Sequence, residues 1–526
     1  MSLTRRAFLQ VSTVAAAASV SARAFPAVEA RSATTPVAKD SATEALCRKL
    51  ASDPFRPQYH LLPAHNWMND PNGPIYFRGR YHMFHQYNPQ SAIWGNMNWA
   101  HATSPDMLHW QHEPIAISPT PGGPDQDGVF SGSAVLDSGI PTVIYTGVAP
   151  PASDAEATLR DGVHTWRETQ CLAVAQDNDL RRWRKRPDPV IPAPPTGLDV
   201  TGFRDPTLWQ ESGKWMLALG SGIRNKGGAI LLYSSQDLRH WTYLHPLIQG
   251  TPSGKGGANP VDTGGMWECP DFFPLGDKHV LLVSTMGKVR WKVGTYAGQR
   301  FTPEKEGVVD WGSYYAAKTM LDRDGNRILW GWIPESRPDA DLIAAGWAGV
   351  MSLPRTVSLT GDGELQTHVV EAVHGLRTTH RRFISDKGPG TRARSQNELR
   401  IHHLCAELQL ELHPTTHDFA VRLKSDSEDF VTLSFTNKER SRELLVNAIP
   451  APLPGPPGAP IQLHMFLDGS LLELFANGTT ALTARVYRTP HGPIRLSLEG
   501  NAELRSLDVW QIKPISTDRL TRSLCL

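Results

Sequence analysis

The sequence contains little cysteine, carries almost no net charge and lacks any long apolar run. Five cysteines are spread over 526 residues without a CxxC pair or a Cys/His ligand spacing, which indicates neither a disulfide scaffold nor a zinc site. The 53 Lys and Arg residues nearly cancel the 52 Asp and Glu residues, so no overall field attracts nucleic acid or an anionic membrane. No stretch is apolar for long enough to span a membrane as a helix. We also expect no metal and no cofactor.

Tryptophan, in contrast, is abundant. The chain has 16 Trp residues, with 40% hydrophobic and 20% charged residues overall, an ordinary composition for a globular protein with a large core. Trp side chains mostly fill cores, but their faces also stack on the C–H bonds of sugars. The length predicts about two to four structural units.

The first thirty residues differ in composition from the rest. Arg5 and Arg6 precede a short, small-residue apolar segment from Val11 to Ala24, and this arrangement resembles a twin-arginine export signal. We therefore expect residues 1–30 to be an export signal and the protein to be periplasmic or secreted. Residues 31–53 are rich in Ser, Thr and Ala without periodicity, which predicts a linker.

One unit recurs between residues 54 and 365: a polar turn with glycine, followed by a strongly apolar strand. The turns follow one another at intervals of 49 to 74 residues, and their glycines are Gly79, Gly139, Gly213, Gly276 and Gly325. Three Asp-apolar-x-x-Trp segments lie between them. Each interval holds about four strands, which predicts an all-β fold with a five-bladed β-propeller over residues 54–365. A jelly roll or stacked sandwiches would not require so long a repeat.

Beyond the propeller the pattern changes. We interpret residues 366–380 as a connector, residues 381–515 as a second all-β unit and residues 516–526 as a tail. The turn Asp468-Gly469-Ser470 between two apolar runs is a hairpin signal. A β-sandwich is the simplest architecture for this second unit.

Three carboxylates precede the glycine turns at almost the same spacing. Asp70, Asp205 and Glu268 lie 9, 8 and 8 residues before the glycines of the first, third and fourth turns. Taken alone, Asp70 is equally compatible with an Asx-Pro turn between two strands. If this position begins the innermost strand of each blade, all three side chains converge on the propeller axis, and such carboxylate constellations mark a site.

Cleavage of a glycosidic bond by two carboxyl groups requires one to stay ionised while the other holds a proton. Asn69 and Asn72 lie beside Asp70 and supply hydrogen-bond donors that favour its ionised form. Glu268 is set in an apolar segment with Trp267, which favours its protonated form and suits a general acid.

Asp205 directly follows Arg204. Since the guanidinium is always cationic, we expect it to favour the ionised form of Asp205. This carboxylate is then better suited to grip sugar hydroxyls than to transfer protons.

A set of motifs resembles the glycoside hydrolase family 32 enzymes, which include invertases, inulinases and levanases. The motifs occur in the family's order and are Trp67–Gly73, Phe84–Pro89, Phe130–Ser133, Phe203–Pro206, Trp267–Asp271, Ile328–Trp332 and Trp347–Arg355. The resemblance covers nearly everything after the export signal. It implies a five-bladed β-propeller followed by a C-terminal β-sandwich, acting with retention on terminal β-fructofuranosyl units of sucrose or of fructans such as inulin and levan.

The resemblance also implies roles for single residues. Asp70 matches the nucleophile that forms a fructosyl-enzyme, Glu268 the acid/base, and Asp205 the transition-state stabiliser. A retaining enzyme holds its two working carboxyls roughly 5–5.5 Å apart. The residues implied to bind or enclose the fructose unit are Trp67, Asn69, Gln86, Trp94, Phe130, Ser131, Arg204 and Trp347.

One residue departs from the family pattern. Many relatives carry an acidic residue where Ser313 stands, which leaves the second sugar subsite undefined.

The alternative functions are a fructosyltransferase on the same fold, an inverting propeller enzyme of the arabinanase type, and a non-catalytic fructan-binding propeller. The sequence does not decide between sucrose, inulin and levan, between endo- and exo-action, or between oligomeric states.

Overall fold

The computed structural model describes residues 41–384, 397–426, 428–438 and 441–522. The predicted export signal over residues 1–30 and the first part of the predicted linker lie outside these residues. Within the described ranges the chain is almost entirely β-strand, with two short α-helices. None of the described helices has the length and apolar character needed to cross a bilayer.

The predicted linker is partly wrong, because its second half is helical. Helix α1 spans Ser41–Ser52 and buries Cys47 and Leu50. The segment combines good helix formers with apolar residues three apart, so one face is covered by the body of the protein. Cys47 takes part in a disulfide bond, while Cys171, Cys269 and Cys405 are free.

The described residues between 66 and 369 form five separate sheets. The first contains β1 Asn66–Phe77, β2 Arg80–Asn88, β3 Asn98–Ser104 and β4 Gln111–Ile117. The second contains β5 Gly128–Asp137, β6 Ile140–Ala149, β7 Leu159–Arg160, β8 Thr165–Ala175 and β9 Trp183–Lys185. The third contains β10 Val200–Glu211, β11 Lys214–Ile223, β12 Gly227–Ser235 and β13 Trp241–Gln249.

The remaining two sheets follow the same antiparallel pattern. The fourth contains β14 Glu268–Leu275, β15 Lys278–Thr285, β16 Lys288–Ala297 and β17 Arg300–Val308. The fifth contains β18 Tyr315–Leu321, β19 Arg327–Ile333, β21 Val350–Met351, β22 Arg355–Leu359 and β23 Leu365–Val369. Helix α2, Asp339–Ala345, precedes β20, Trp347–Ala348, which pairs in parallel with β1.

The five sheets close into a ring. The first strand of each sheet contacts the first strand of the next, from β1 through β5, β10, β14 and β18, and β18 contacts β1 again. The turn glycines that marked the repeat all adopt positive φ, from 62° at Gly276 to 84° at Gly325, a conformation that glycine enters without steric cost. A β-propeller is therefore confirmed; the number of five blades stays a prediction, which the five sheets support.

Residues 377–512 form the second unit. Its strands are β24 Arg377–Ile384, β25 Asn397–Glu398, β26 Cys405–Ser425, β27 Glu428–Lys438, β28 Ser441–Val446, β29 Ile449–Pro452, β30 Ile461–Asp468, β31 Leu471–Ala476, β32 Thr480–Arg485 and β33 Ile494–Ile512. The long strands β26 and β33 pair with each other, with an interruption between Pro414 and Phe419. They pass from one layer to the other, since β26 pairs first with β30 and then with β27. Their inward residues, such as Leu408 and Val421, are fully buried. The predicted β-sandwich is confirmed.

The predicted connector over residues 366–380 is too long. Strand β23 continues to Val369 and β24 begins at Arg377, so only a short 3₁₀ segment, Glu371–Leu376, lies between the two units. Alternate residues of β23 are buried, which is the two-residue period of a strand with one covered face. The described part of the predicted tail packs against the segment that precedes the first sheet, where Arg519 donates to the carbonyl of Arg56.

A buried ionic network joins the propeller to the sandwich. Arg355 of β22 donates to Asp310 at 3.0 Å and to Glu473 of β31 at 2.5 Å. His60 bridges Asp468 and Glu473 at 2.7 and 3.0 Å. All five side chains are fully buried, and unpaired charges in such a place would be costly, so the two units are held in register.

Candidate active site

Each innermost strand of the propeller interrupts its antiparallel pairing near its start. A break of this kind leaves residues unpaired and re-aims their side chains. As a result, side chains from different blades meet around the axis. The register shifts fall between Met68 and Pro71, Val129 and Gly132, Arg204 and Thr207, Glu268 and Asp271, and Tyr315 and Lys318.

The three carboxylates converge, but not from equivalent positions. In each strand we count from the last paired residue before the interruption. Glu268 is then the first residue of its segment, Asp205 the second and Asp70 the third. The interpretation that all three share one position is therefore wrong. The distance to the glycine turn misleads because β1 carries a second register shift, between Asn72 and Ile75.

Asp70 is fixed by hydrogen bonds from two blades. Ser131 of β5 donates to its Oδ2 at 2.6 Å, and Asn69 donates to its Oδ1 at 3.0 Å. The indole of Trp67 in turn donates to Asn69 Oδ1 at 2.7 Å. These contacts present the carboxylate to the cavity in one orientation.

Cys269 links Asp70 to Asp205. Its thiol lies 3.4 Å from Asp70 Oδ2 and 3.5 Å from Asp205 Oδ2, and its backbone N–H donates to the latter at 3.0 Å. Asp205 and Cys269 adopt φ values of 64° and 47°, a left-handed conformation that costs a non-glycine residue energy and persists where its surroundings enforce it. The two carboxylates therefore share one small region of the cavity.

Glu268 is paired with Arg204. The guanidinium donates to Glu268 Oε1 from Nη2 at 2.7 Å and from Nε at 3.1 Å, and Tyr315 donates to Oε2 at 2.8 Å. A second carboxylate, Glu168 of β8, accepts from Arg204 Nη1 at 2.8 Å. Arg204 Nε lies 4.0 Å from Asp205 Oδ2. The expected apolar setting of Glu268 is wrong, because its carboxylate accepts three hydrogen bonds.

Burial dominates the electrostatics of the two aspartates. It raises the pKa of Asp70 above its usual value, and donors such as Ser131 only partly offset the rise. Burial, with the charges of Glu268 and Asp70, raises the pKa of Asp205 to about 7 against the opposing effect of Arg204. Arg204 favours the ionised form of Asp205, as expected, but burial outweighs this effect because the guanidinium donates to Glu168 and Glu268 instead.

Arg204 itself stays charged. Burial lowers the pKa of its guanidinium, but the charges of Glu168, Glu268 and Asp205 raise it well above the usual value. The arrangement thus supplies one buried fixed cation among several carboxyls. Such a group can stabilise negative charge and hold its neighbours in place.

Asp70, Asp205 and Glu268 line a cavity of about 510 Å³ on the propeller axis. Asn69, Gln86, Phe130 and Ser131 line it as predicted, and Gln86 is held by its bond to the carbonyl of Val129 at 3.0 Å. Trp94 lies at the rim, where 40% of it is exposed.

Two predicted contacts lie elsewhere. Trp347 is fully buried among core residues and donates to Asp53 at 2.7 Å; it does not line the cavity. Trp67 packs behind the wall against Trp332, with ring centroids 5.7 Å apart, and Trp332 is the residue that reaches the cavity. The prediction that Trp67 and Trp347 bound the pocket directly is wrong, because both indoles are directed into the core.

The sequence reasoning missed several residues of the site. Tyr315 stands in the fifth repeat at the place equivalent to Glu268, so the repeat carried a usable signal. Glu168 had no such signal, because its role depends on the neighbouring blade. At the rim, Asp161 and Trp166 come from the short β7–β8 hairpin, which lies outside the repeated unit.

One group of possible metal ligands occurs in the described residues, away from this cavity. His374, Glu407 and His464 bring ligand atoms within 4.8 Å of one another. Arg377 already donates to both oxygens of Glu407, so the carboxylate is neutralised without an ion. The walls of the cavity carry carboxyls, amides and indoles, which are groups that bind the hydroxyls and C–H faces of sugars.

A propeller whose axis holds differentiated carboxyls in a sugar-sized cavity defines a glycosidase. Two family models match the chain: the glycosyl hydrolases family 32 N-terminal domain over residues 60–369 and the family 32 C-terminal domain over residues 373–511. The chain belongs to glycoside hydrolase family 32.

Individual relatives agree with this assignment. Sucrose-6-phosphate hydrolase and raffinose invertase of Escherichia coli are each 34% identical to the chain, over 87% of its length and 95% of theirs. Among solved structures, fructan 1-exohydrolase IIa of Cichorium intybus is similar with a TM-score of 0.74 and 27% identity, covering 88% of this chain and 98% of its own. A Bombyx mori β-fructofuranosidase variant in complex with sucrose is similar with a TM-score of 0.70 and 26% identity, covering 90% of this chain and 97% of its own.

Proposed function

We propose that sucrose is the substrate from which this fructosyl-releasing family 32 hydrolase takes its fructosyl unit. Terminal β-fructofuranosyl units of inulin or levan are the second class of substrate. The observation that carries the proposal is the meeting of Asp70, Asp205 and Glu268 in one cavity, where Ser131 and Asn69 bind Asp70 while Arg204 and Tyr315 bind Glu268. The relatives' names, which include an invertase and a fructan exohydrolase, support the same substrates.

In the first step Asp70 acts as the nucleophile. Its carboxylate attacks the anomeric carbon of the fructosyl unit, the glycosidic C–O bond breaks, and Glu268 gives its proton to the departing oxygen. Ser131 and Asn69 hold Asp70 in the orientation for attack. The products of this step are a fructosyl ester on Asp70 and the free leaving-group sugar.

In the second step Glu268 acts as a base. It takes a proton from water, the water oxygen attacks the anomeric carbon, and the ester bond to Asp70 breaks to release fructose. The configuration at the anomeric carbon is retained because two inversions follow each other. We expect the carboxyls of Asp70 and Glu268 to lie roughly 5–5.5 Å apart, as in other retaining enzymes.

Asp205 binds fructose hydroxyls in this scheme. Hydroxyl donors stabilise the ionised form of a carboxyl group, so substrate binding opposes the rise that burial causes in the pKa of Asp205. Arg204 positions Glu268 through its two hydrogen bonds and supplies a positive charge to the transition state.

Product analysis tests the proposal. The purified protein is incubated with sucrose, inulin and levan, the released sugars are separated by chromatography, and the first anomer of fructose is read by NMR. We expect free fructose with retained configuration, and an Asp70→Asn variant that is folded but inactive. An inverted anomer would favour the arabinanase-type mechanism, and transfer to sugar instead of water would favour a fructosyltransferase.

We also propose that the protein is exported. The Arg5-Arg6 pair ahead of a short apolar segment supports this, as does the disulfide bond of Cys47, because such bonds persist in oxidising compartments. The test is cell fractionation of the full chain beside an Arg5→Lys/Arg6→Lys variant. We expect the first outside the cytoplasm and the second retained inside, and equal cytoplasmic retention of both would contradict export.

A further inference from the structure

We infer that the cavity selects neutral substrates and rejects sugars whose leaving group carries a phosphate, through the carboxylates of Asp161 and Asp262 at its rim. This inference rests on the proposed function and narrows its substrate class. One relative is named sucrose-6-phosphate hydrolase. The inference predicts that this chain differs from that relative in substrate.

The balance of charge in the cavity is strongly acidic. Of the described residues that line it, five are acidic and one, Arg204, is basic. A phosphate monoester carries a charge of about −1.5 to −2 at neutral pH. Repulsion between like charges in a cleft lowers binding affinity several-fold or more.

Two cations at or beside the cavity wall, Arg204 and Lys288, are already engaged. Arg204 is 6% exposed and donates to Glu168 and Glu268. Lys288 follows the lining residue Gly287, but its ammonium donates to the carbonyls of Trp311 and Gly312. Phosphate recognition relies on free Arg, Lys or backbone N–H donors, and the cavity walls offer no unengaged Arg or Lys among the described lining residues.

The two rim acids lie on loops that touch. Asp161 occupies the turn of the β7–β8 hairpin, where its Oδ1 accepts the backbone N–H groups of Val163 and His164 at 2.8 and 2.6 Å. The next residue, Gly162, lies against Ala258, since a Cβ added there would come within 2.8 Å of the Ala258 side chain. Asp262 lies on the loop that contains Ala258 and is exposed. Both residues line the cavity, one from each of these loops.

The same rim offers an apolar face to a neutral sugar. Trp166 stacks on His164 with ring centroids 4.2 Å apart, and Trp94 lies 6.1 Å from Trp166. Indole faces bind the C–H faces of sugars, while carboxylates accept hydrogen bonds from sugar hydroxyls. A neutral glucosyl or fructosyl leaving group satisfies both features, whereas a phosphorylated one meets repulsion.

The test compares kcat/KM for sucrose and for sucrose carrying a phosphate on its glucose unit. The assays are run at pH 7.5, where a phosphate monoester with a second pKa of about 6 is almost doubly charged. We expect sucrose to be preferred by at least about tenfold. The preference should shrink by about threefold or more in an Asp161→Asn/Asp262→Asn variant, and added salt should raise only the rate with the phosphorylated sugar, since it screens the repulsion.

The substitutions are chosen to leave the fold intact. Asn accepts the same turn hydrogen bonds as Asp, so the hairpin is retained in Asp161→Asn. Asp277→Asn, in the exposed turn at the far end of β14, is the matched control and should leave the preference unchanged. Equal or better turnover of the phosphorylated sugar would overturn the inference while leaving fructosyl release in place. Failure to cleave sucrose or fructans at all would instead overturn the proposed function.

Discussion

Arg204 faces Glu268 rather than Asp205, its neighbour in the chain. The guanidinium lies 2.7 Å from Glu268 Oε1 but 4.0 Å from Asp205 Oδ2. Successive side chains of a strand point to opposite faces, and the left-handed backbone at Asp205 turns that carboxylate toward Cys269. The cation of the site is therefore a positioning group for the proposed acid/base.

Replacing Arg204 should lower activity and shift its pH dependence. In Arg204→Met we expect kcat/KM to fall by about 10²–10³, as when one preorganised charge donor is removed from a transition state. Because the positive charge lowers the pKa of Asp205, its loss raises that pKa and moves the acidic limb of the activity profile to higher pH. The measurement is kcat/KM from pH 4 to 8.

Arg204→Lys is the control for this prediction. It keeps the positive charge but loses the planar fork, so we expect the acidic limb to stay close to its original position while the rate remains low. An unchanged acidic limb in Arg204→Met would show that the pKa of Asp205 does not govern activity.

Trp94 and Trp347 should respond differently to truncation. Trp94 is 40% exposed at the rim, whereas Trp347 is fully buried. We expect Trp94→Ala to raise KM with little change in the free energy of unfolding, and Trp347→Ala to lower that free energy by about 3–5 kcal/mol. Steady-state kinetics and urea unfolding of both variants check this, and a stable Trp347→Ala variant with a raised KM would return that residue to the substrate pocket.

The ionic network between propeller and sandwich should be costly to break on one side only. Arg355→Met leaves Asp310 buried without its cation and Glu473 with His60 as its remaining cationic partner, so we expect the free energy of unfolding to fall by about 3–5 kcal/mol. The exposed pair of Arg323 and Asp324 provides the control, since Arg323→Met should cost less than about 1 kcal/mol. Equal stability losses in the two variants would contradict this account of the interface.

Buried histidines of the first blade should make the fold sensitive to acid. Burial lowers the pKa of His82 and His85 to about 4 and that of His112 to about 3. Unfolded imidazoles bind protons near pH 6.5, so the unfolded state gains protons first and stability falls as the pH drops from about 6.5 toward 4. We expect Tm to fall over this range, and to fall less in His85→Gln. His491→Gln, at an exposed position, should leave the slope unchanged.

His60 should have the opposite effect on how stability depends on pH. Burial lowers its pKa, but hydrogen bonds to Asp468 and Glu473 outweigh burial and raise it to about 9. Its contribution to stability is therefore complete below about pH 6.5 and is lost as the pH rises through 9. A His60→Gln variant should be less stable at pH 6 and approach the parent protein at pH 10; a constant difference across this range would contradict a charged His60.

Much of the fold could be predicted because local signals repeat. The polar glycine turns and apolar strands gave the propeller, and the hairpin at Asp468 and Gly469 gave part of the sandwich. Helix α1 and the true length of the connector were missed, because packing against the rest of the described chain determines both. Leu50, for example, belongs to a core cluster that also contains residues of the first sheet, the fifth sheet and the sandwich.

The convergence of the three carboxylates could also be predicted, but their environments could not. Arg204 pairs with Glu268 because of the β-bulges and the left-handed backbone conformation of Asp205. The spacing of residues in the sequence predicts neither feature. Trp347 was misplaced because a motif identifies a residue without saying which way its side chain points. Asp161 and Trp166 come from a hairpin outside the repeat, so only the folded chain brings them to the rim.

The most direct test of the central claim is to trap the fructosyl-enzyme. A Glu268→Gln variant is mixed with a fructosyl fluoride, whose fluoride leaves without a proton from an acid, and is then digested with trypsin and analysed by mass spectrometry. Asp70, Asp205 and Glu268 fall in different tryptic peptides, because Lys or Arg residues separate them. The account predicts a burst of fluoride and a fructosyl adduct on the peptide that contains Asp70. An adduct on the Asp205 peptide, or turnover without any adduct and with an inverted product, would contradict it.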